Sequence, residues 1–171
     1  MSLPASDLTK QPDNRTTMDL GAVLPRTAEV RRNHLFIGGV DMVELAQSQG
    51  TALYVFDEED LRYRMETYLS AFRSRYANSD VLYASKAFLN KEVVRIAADE
   101  GLCLDVSGGG ELACAQAAGF PMERVFVHGN NKTPLELEEA ISAGVGRIVV
   151  DSRIELARVS EIAGRHGIVQ D

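Results

Sequence analysis

The chain has 171 residues, 45% of them hydrophobic and 25% charged, and a formal net charge of −7. That is enough chain for one ordinary domain with a real core, and the balance is that of a globular protein rather than a disordered or fibrous one. The acidic excess argues against a nucleic-acid partner or an anionic membrane surface, and no stretch approaches the roughly 18 consecutive apolar residues of a membrane span.

Residues 1–33 are polar and irregular, with Pro4, Pro12 and Pro25, and read as an arm. Asp7, Lys10, Asp13, Arg15 and Asp19 interrupt the first twenty residues, so no signal peptide is visible and a cytoplasmic location is expected. His34–Ile37 is a predicted strand ended by Gly38 and Gly39. Asp41 has the character of an N-cap for a short helix from Met42 to Gln47, which Gly50 stops. Thr51–Phe56 is rich in strand formers and is predicted as a strand. Asp57 reads as a second N-cap, and Glu58, Glu59 and Asp60 put negative charge on a first helical turn, where the helix dipole favours it. Leu61, Met65, Tyr68, Leu69 and Phe72 recur at three- and four-residue spacing, which predicts a helix to about Arg75 with one packed face.

From there the pattern becomes regular. Strands are predicted at Val81–Ala84, Leu102–Val106, Val125–His128 and Arg147–Val150, with helices near 90–99, 110–118, 134–143 and 152–166. Successive strands begin about 21 to 23 residues apart. Crossovers of that length build a parallel sheet, and the continuously apolar strands suggest that both sheet faces are covered. A doubly wound sheet and a (β/α)8 barrel both satisfy the pattern. In either, ligands sit at the carboxyl ends of the strands.

The residue at or just after each strand end is ionisable: Lys86, Asp105, His128 and Asp151. Singly, each has an ordinary explanation. Lys86 can snorkel to water, the aspartates can cap helices, and His128 can be structural. Together they point to a functional rim. Ser107-Gly108-Gly109-Gly110 before Glu111 lacks the spacing of a nucleotide-binding motif and reads as a tight turn that lets backbone approach a ligand. Cys103 and Cys114 form no metal-ligand spacing and read as small buried hydrophobes.

A lysine at a strand end, facing a carboxylate on the neighbouring strand, suits a Schiff base with pyridoxal phosphate, and partial burial would supply the neutral amine. Three segments carry a resemblance: Tyr83-Ala84-Ser85-Lys86-Ala87-Phe88, Gly101–Val106 with Gly109-Gly110-Glu111-Leu112, and His128-Gly129-Asn130-Asn131-Lys132. Ile37–Val40, Gly50-Thr51 and Val149–Ser152 extend it. Over roughly residues 34–165 the chain resembles the amino-terminal part of the diaminopimelate decarboxylase family, a branch of the fold-type III pyridoxal-phosphate enzymes. The resemblance implies an α/β fold, the first half of an alanine-racemase-like (β/α)8 TIM barrel over residues 57–171. It implies that strands in 34–56 contribute to a second, β-rich domain. It also implies Lys86 as the catalytic residue bound to pyridoxal 5'-phosphate, with Asp105, Glu111 and His128 as further cofactor-binding residues and no metal. The implied reaction is decarboxylation of meso-2,6-diaminopimelate to L-lysine and CO2 by a homodimer with shared active sites, acting on an amino acid and on neither nucleic acid nor membrane.

Family members are more than twice this length, and the segments that hold the cofactor's phosphate and pyridine nitrogen have no counterpart in these residues. The 171-residue chain alone is therefore expected to be inactive. Two other readings stand beside this one: an ornithine or arginine decarboxylase or racemase on the same scaffold, and a non-catalytic pyridoxal-phosphate-binding relative.

Overall fold

The structure, a computed structural model, describes residues 23–171. Residues 1–22 of the expected arm lie outside the described residues. Two compact units divide between Asp57 and Glu58.

The first unit is a small antiparallel meander. Strand β1 (Glu29–Arg31) pairs with β2 (His34–Ile37), which pairs with β3 (Val40–Asp41). Two-residue turns join them. Arg32 and Asn33 have φ of 50° and 63°, and Gly38 and Gly39 have 57° and 77°. Positive φ at both central positions is the turn whose twist matches a hairpin. The expected arm is thus corrected at its end, since β1 lies within it. Arg-Asn is not a turn pair that sequence alone flags. Asp41 caps α1 (Met42–Gln49), its Oδ1 accepting the amides of Val43 at 2.8 Å and Glu44 at 3.2 Å. The strand predicted at Thr51–Phe56 does not form. The segment joins no ladder, and Tyr54 is 94% exposed. Strand propensity reflects fit to a pleated, half-buried surface, and here no neighbouring strand supplies one.

The second unit begins with α2 (Glu58–Arg73), which buries Met65 and Leu69. Four strands follow, β4 (Leu82–Ala84), β5 (Cys103–Val106), β6 (Val125–His128) and β7 (Arg147–Val149), all parallel in the order β4-β5-β6-β7. Helices α3 (Lys91–Asp99), α4 (Gly109–Ala118) and α5 (Pro134–Ala143) connect them, and α6 (Arg153–His166) follows β7. Each start has a local cause. Asn90 caps α3, Thr133 and Glu136 form a reciprocal capping box on α5 with Pro134 in its first turn, and Ser152 caps α6.

The core lies on one side of the sheet. Leu104 and Val106 of β5, Val125 and Val127 of β6 and Ile148 of β7 pack against Val94, Ala97, Leu112, Leu137, Ala140, Ile141 and Val159 of the helices. Alternate strand residues point to the other face, as the pleat requires. That face is largely uncovered: Leu82 is 37% exposed and Val149 41%, and the Arg147 guanidinium lies 5.0 Å from the centre of the Phe126 ring. The expectation that both faces are covered is therefore corrected for this chain. At the amino ends of β6 and β7 the backbone is tightly packed. The Gly146 amide donates to Met122 O at 3.0 Å, and a Cβ on Gly146 would lie 2.8 Å from the Glu123 carbonyl carbon.

Candidate active site

Strand β4 ends at Ala84 and passes into a single 3-10 turn, Ser85–Ala87, that carries Lys86. Ser85 is 2% exposed, and its neighbour Lys86 is turned outward. The Tyr83 hydroxyl closes the turn by donating to Phe88 O at 2.6 Å, and burial pushes that phenol's pKa up. Tyr83 is thus the brace of the segment that presents Lys86. Lys86 itself is exposed, so the partial burial expected of it is not supplied by this chain.

Ala84 is in register with Asp105 on β5, and Asp105 with Phe126 on β6. His128, the last residue of β6, places Nδ1 3.5 Å from Asp105 Oδ1. That spacing is an electrostatic contact rather than a hydrogen bond, and the buried Oδ1 has no hydrogen-bond partner among the described residues. A buried carboxylate oxygen without a donor is costly, by about 1–3 kcal/mol or more for a charged group, and marks a place where a donor would be gained. The structure therefore brings Asp105 and His128 together beside the strand end that carries Lys86.

Glu111 and Asp151 are placed differently. Glu111 turns back over its own turn, its carboxylate accepting the Ser107 amide. Asp151 sits with the loop after β6, where its Oδ2 accepts the Asn131 amide at 3.4 Å. Burial alone would raise the Asp151 pKa, but Glu155, the Asn131 amide and the Lys132 ammonium together hold it below the ordinary carboxylate value. The expected four-member rim thus resolves into two groups. Lys86, Asp105 and His128 gather at the ends of β4–β6, while Asp151 belongs to a neighbouring cluster around Lys132. Sequence reasoning missed Lys132 as a buried group. Its Nζ donates to Gly129 O and Val149 O and faces Glu155 Oε1 at 2.7 Å. The available signal was its place among only four lysines.

The glycine turn before α4 is not open to an anion. The Glu136 carboxylate is held below its ordinary pKa first by the Thr133 amide and hydroxyl, and further by the Gly109 amide and Lys132. A Cβ on Gly109 would also lie 3.2 Å from Glu139 Oε2. Carboxylates of α5 therefore occupy the field that an α4-bound phosphate would use. Gly129 is needed for close approach, because a Cβ there would meet Ser107 O at 3.0 Å. A cavity of about 490 Å³ lies elsewhere, between α4 and α5, lined by Gly109, Leu112, Ala113, Gln116, Glu139 and Ser142 among others. None of Lys86, Asp105 or His128 lines it. Both cysteines are free, and no group of three or more metal-binding side chains occurs among the described residues.

These side chains fit the reactive end of an aldehyde cofactor. An outward amine, a carboxylate with an unpaired buried oxygen and an imidazole share one end of the sheet.

The family profile described as pyridoxal-dependent decarboxylase, pyridoxal binding domain, matches residues 59–169. Diaminopimelate decarboxylase of Mycobacterium tuberculosis is 53% identical over 135 residues, covering 79% of this chain and 30% of that protein. The Bacillus subtilis diaminopimelate decarboxylase is 45% identical over 137 residues, 80% of this chain and 31% of that one. A solved diaminopimelate decarboxylase from M. jannaschii, in co-complex with L-lysine, superposes with a TM-score of 0.75 at 33% identity, over 83% of this chain and 34% of its own. The chain thus spans about a third of the length of these relatives. Its parallel β/α run is part of their fold-type III barrel, as the sequence led us to expect. The chain belongs to the pyridoxal-dependent decarboxylases, and residues 59–169 are their pyridoxal-binding domain.

Proposed function

We propose that the protein to which this chain contributes decarboxylates meso-2,6-diaminopimelate to L-lysine and CO2, with pyridoxal 5'-phosphate held covalently by Lys86. The observation that carries the reading is the register of Ala84 with Asp105, which puts the Lys86 turn beside a carboxylate whose buried oxygen lacks a donor. Similarity to relatives named for this reaction, at 42–53% identity, supports the substrate. A lysine/ornithine decarboxylase structure from Vibrio vulnificus aligns at 24% identity with a TM-score of 0.62, which speaks to the fold alone.

Bound pyridoxal phosphate acts as an electron sink for the bond between the α-carbon and its carboxylate. The residues of this chain bind and position. Lys86 Nζ supplies the amine that meets the cofactor aldehyde, and its exposure leaves the approach clear. Asp105 offers Oδ1 to a donor on the cofactor, and His128 flanks that oxygen. Tyr83 keeps the Lys86 turn from unwinding. We assign Glu111 a role in shaping the β5–α4 turn through Ser107, one step removed from the cofactor. A cytoplasmic homodimer with shared active sites, and a β-rich second domain to which residues 34–56 contribute, complete the proposal. No helix among the described residues is long and apolar enough to cross a membrane.

The test begins with this chain. Pyridoxal phosphate followed by borohydride should label Lys86 well above exposed Lys91, and Lys86→Ala should remove that label. Equal labelling of Lys86 and Lys91 would refute the assignment. Substrate is tested in a chimaera carrying the matched segment in the M. tuberculosis relative. CO2 should be released from meso-diaminopimelate and not from ornithine or arginine.

A further inference from the structure

Among the described lysines, Lys132 is the one that does not reach water. It is 3% exposed, and so is Glu155, whose Oε1 lies 2.7 Å from Nζ. Two of the ammonium's donors go to backbone, to Gly129 O at 2.6 Å and Val149 O at 2.8 Å, while its contact with Glu155 Oε1 is an ion pair without hydrogen-bond geometry. These acceptors come from three elements: the loop after β6, the last residue of β7 and the first turn of α6. The triangle through Nζ keeps the two carbonyl oxygens within 5.4 Å of each other, the sum of 2.6 and 2.8 Å. The exits of β6 and β7 are therefore tied at one atom.

The cap of α6 points the same way. Ser152 and Glu155 have capping-box spacing, and Ser152 Oγ accepts the Glu155 amide at 3.1 Å. In α5 the matching Glu136 carboxylate returns to its N-cap amide. In α6 the Glu155 carboxylate is turned inward to the lysine instead. The loop that Lys132 holds is itself constrained. Asn131 sits in the left-handed region at φ 56°, its amide on Asp151, and a Cβ at Gly129 would meet Ser107 O at 3.0 Å. His128 opens this loop.

We propose that Lys132 is a positioning residue of the candidate site. Its buried ammonium fixes where the β6–α5 loop leaves the sheet, and so holds His128 against Asp105. The proposal rests on reading Lys86, Asp105 and His128 as the cofactor site. Glu155, with the Asp151 carboxylate beside it, supplies the neutralising charge, while the bridge between the two carbonyls sets the geometry.

A general loss of stability must be separated from a loss of position. Removing one member of a buried ion pair strands the other, whereas replacing both with apolar side chains leaves no stranded charge. In the 171-residue chain, Lys132→Met should lower the thermal midpoint, and Lys132→Met with Glu155→Leu should recover most of it. The ring resonances of His128 should remain displaced in the double variant, with those of His166, at the other end of α6, as the internal reference. Protection of the Asn131 amide from exchange should stay lost. Glu155→Gln keeps the carbonyl bridge and should leave His128 near its parental position. His128 and Asn131 signals that return with the midpoint would overturn the proposal, and so would equal displacement of His128 in Glu155→Gln and Lys132→Met. Should either Met variant fail to fold, Glu155→Gln still decides, because displacement of His128 with the bridge intact counts against it. Failure of the parent chain to capture pyridoxal phosphate at Lys86 would instead remove the cofactor reading, and the resonances would still report whether Lys132 positions His128.

Discussion

Gly146 and Gly164 should answer the same substitution, glycine to alanine, with opposite signs. At Gly146 a Cβ would run into the Glu123 carbonyl, oxygen first, with the carbon at 2.8 Å where 3.4 Å is ordinary contact, so the backbones must separate by well over the 0.6 Å difference of the two. Neither backbone is a flexible side chain that can swing aside. Overpacking of this kind costs about 1–3 kcal/mol. The same separation weakens the bond from the Gly146 amide to Met122 O, worth about 1 kcal/mol. Gly146→Ala should therefore destabilise by roughly 2–4 kcal/mol. Gly164 lies inside α6, where an added Cβ would meet nothing within 4 Å and φ is not positive. There alanine should stabilise by about 0.5–1 kcal/mol, through helix propensity and a less flexible unfolded chain. Urea unfolding followed by circular dichroism gives both values as midpoint shifts at unchanged slope. A Gly146→Ala variant within about 0.5 kcal/mol of the parent, the usual range for an inert surface change, would refute the steric argument. So would midpoints that move in the same direction. Gly146 lies at the amino ends of the strands, away from Lys86, so labelling of Lys86 in the folded fraction should be unaffected.

Two other measurements probe the electrostatics and the core. Glu136 has a folded-state pKa below its ordinary 4.5, so its contribution to stability is present above that value and is lost as pH falls through the lower folded one. Glu136→Gln keeps a capping-box acceptor but not its charge, so it should be less stable than the parent at about pH 7 by about 0.3–1 kcal/mol, with the gap narrowing as pH falls below 4.5. A gap independent of pH would show that the cap does not depend on charge. Cys103 is buried, and burial, followed by the nearby Asp80 charge, pushes its thiol pKa up. Its modification by a thiol reagent should track global unfolding across a denaturant series, and rapid labelling in native buffer would contradict its packing.

The regular half of the chain was legible because its signals agree. The runs at Val81–Ala84, Val125–His128 and Arg147–Val150 each mark an element that the structure contains, whereas the caps Asn90, Thr133 and Ser152 and the helix-closing glycines at 119, 144 and 167 emerge only in the structure, where Ser152 rather than Asp151 caps α6. The first unit was less legible. Thr51–Phe56 has strand composition without a partner strand, and β1 is announced by no familiar turn pair. At the site, spacing placed Lys86, Asp105 and His128 at successive strand ends but could not separate Asp151 from them. That separation depends on Lys132, whose three contacts come from Gly129, Val149 and Glu155. No local pattern reports a bond across some twenty residues of chain, from Lys132 to Glu155. The mutual approach of α5 carboxylates and the α4 glycine turn is non-local in the same way.

The uncovered face of the β4–β7 sheet has a thermodynamic consequence. Heat capacity of unfolding scales with apolar surface newly exposed to water, at about 12–15 cal/mol/K per residue for closed domains. Leu82 and Val149 are already in solvent in the native chain, and so contribute little to that change. The unit from Glu58 to Asp171 should therefore show a smaller heat-capacity increment and a shallower urea slope than its length indicates. Its stability curve would be flatter and its thermal transition broader, a calorimetric signature of a sheet packed on one side.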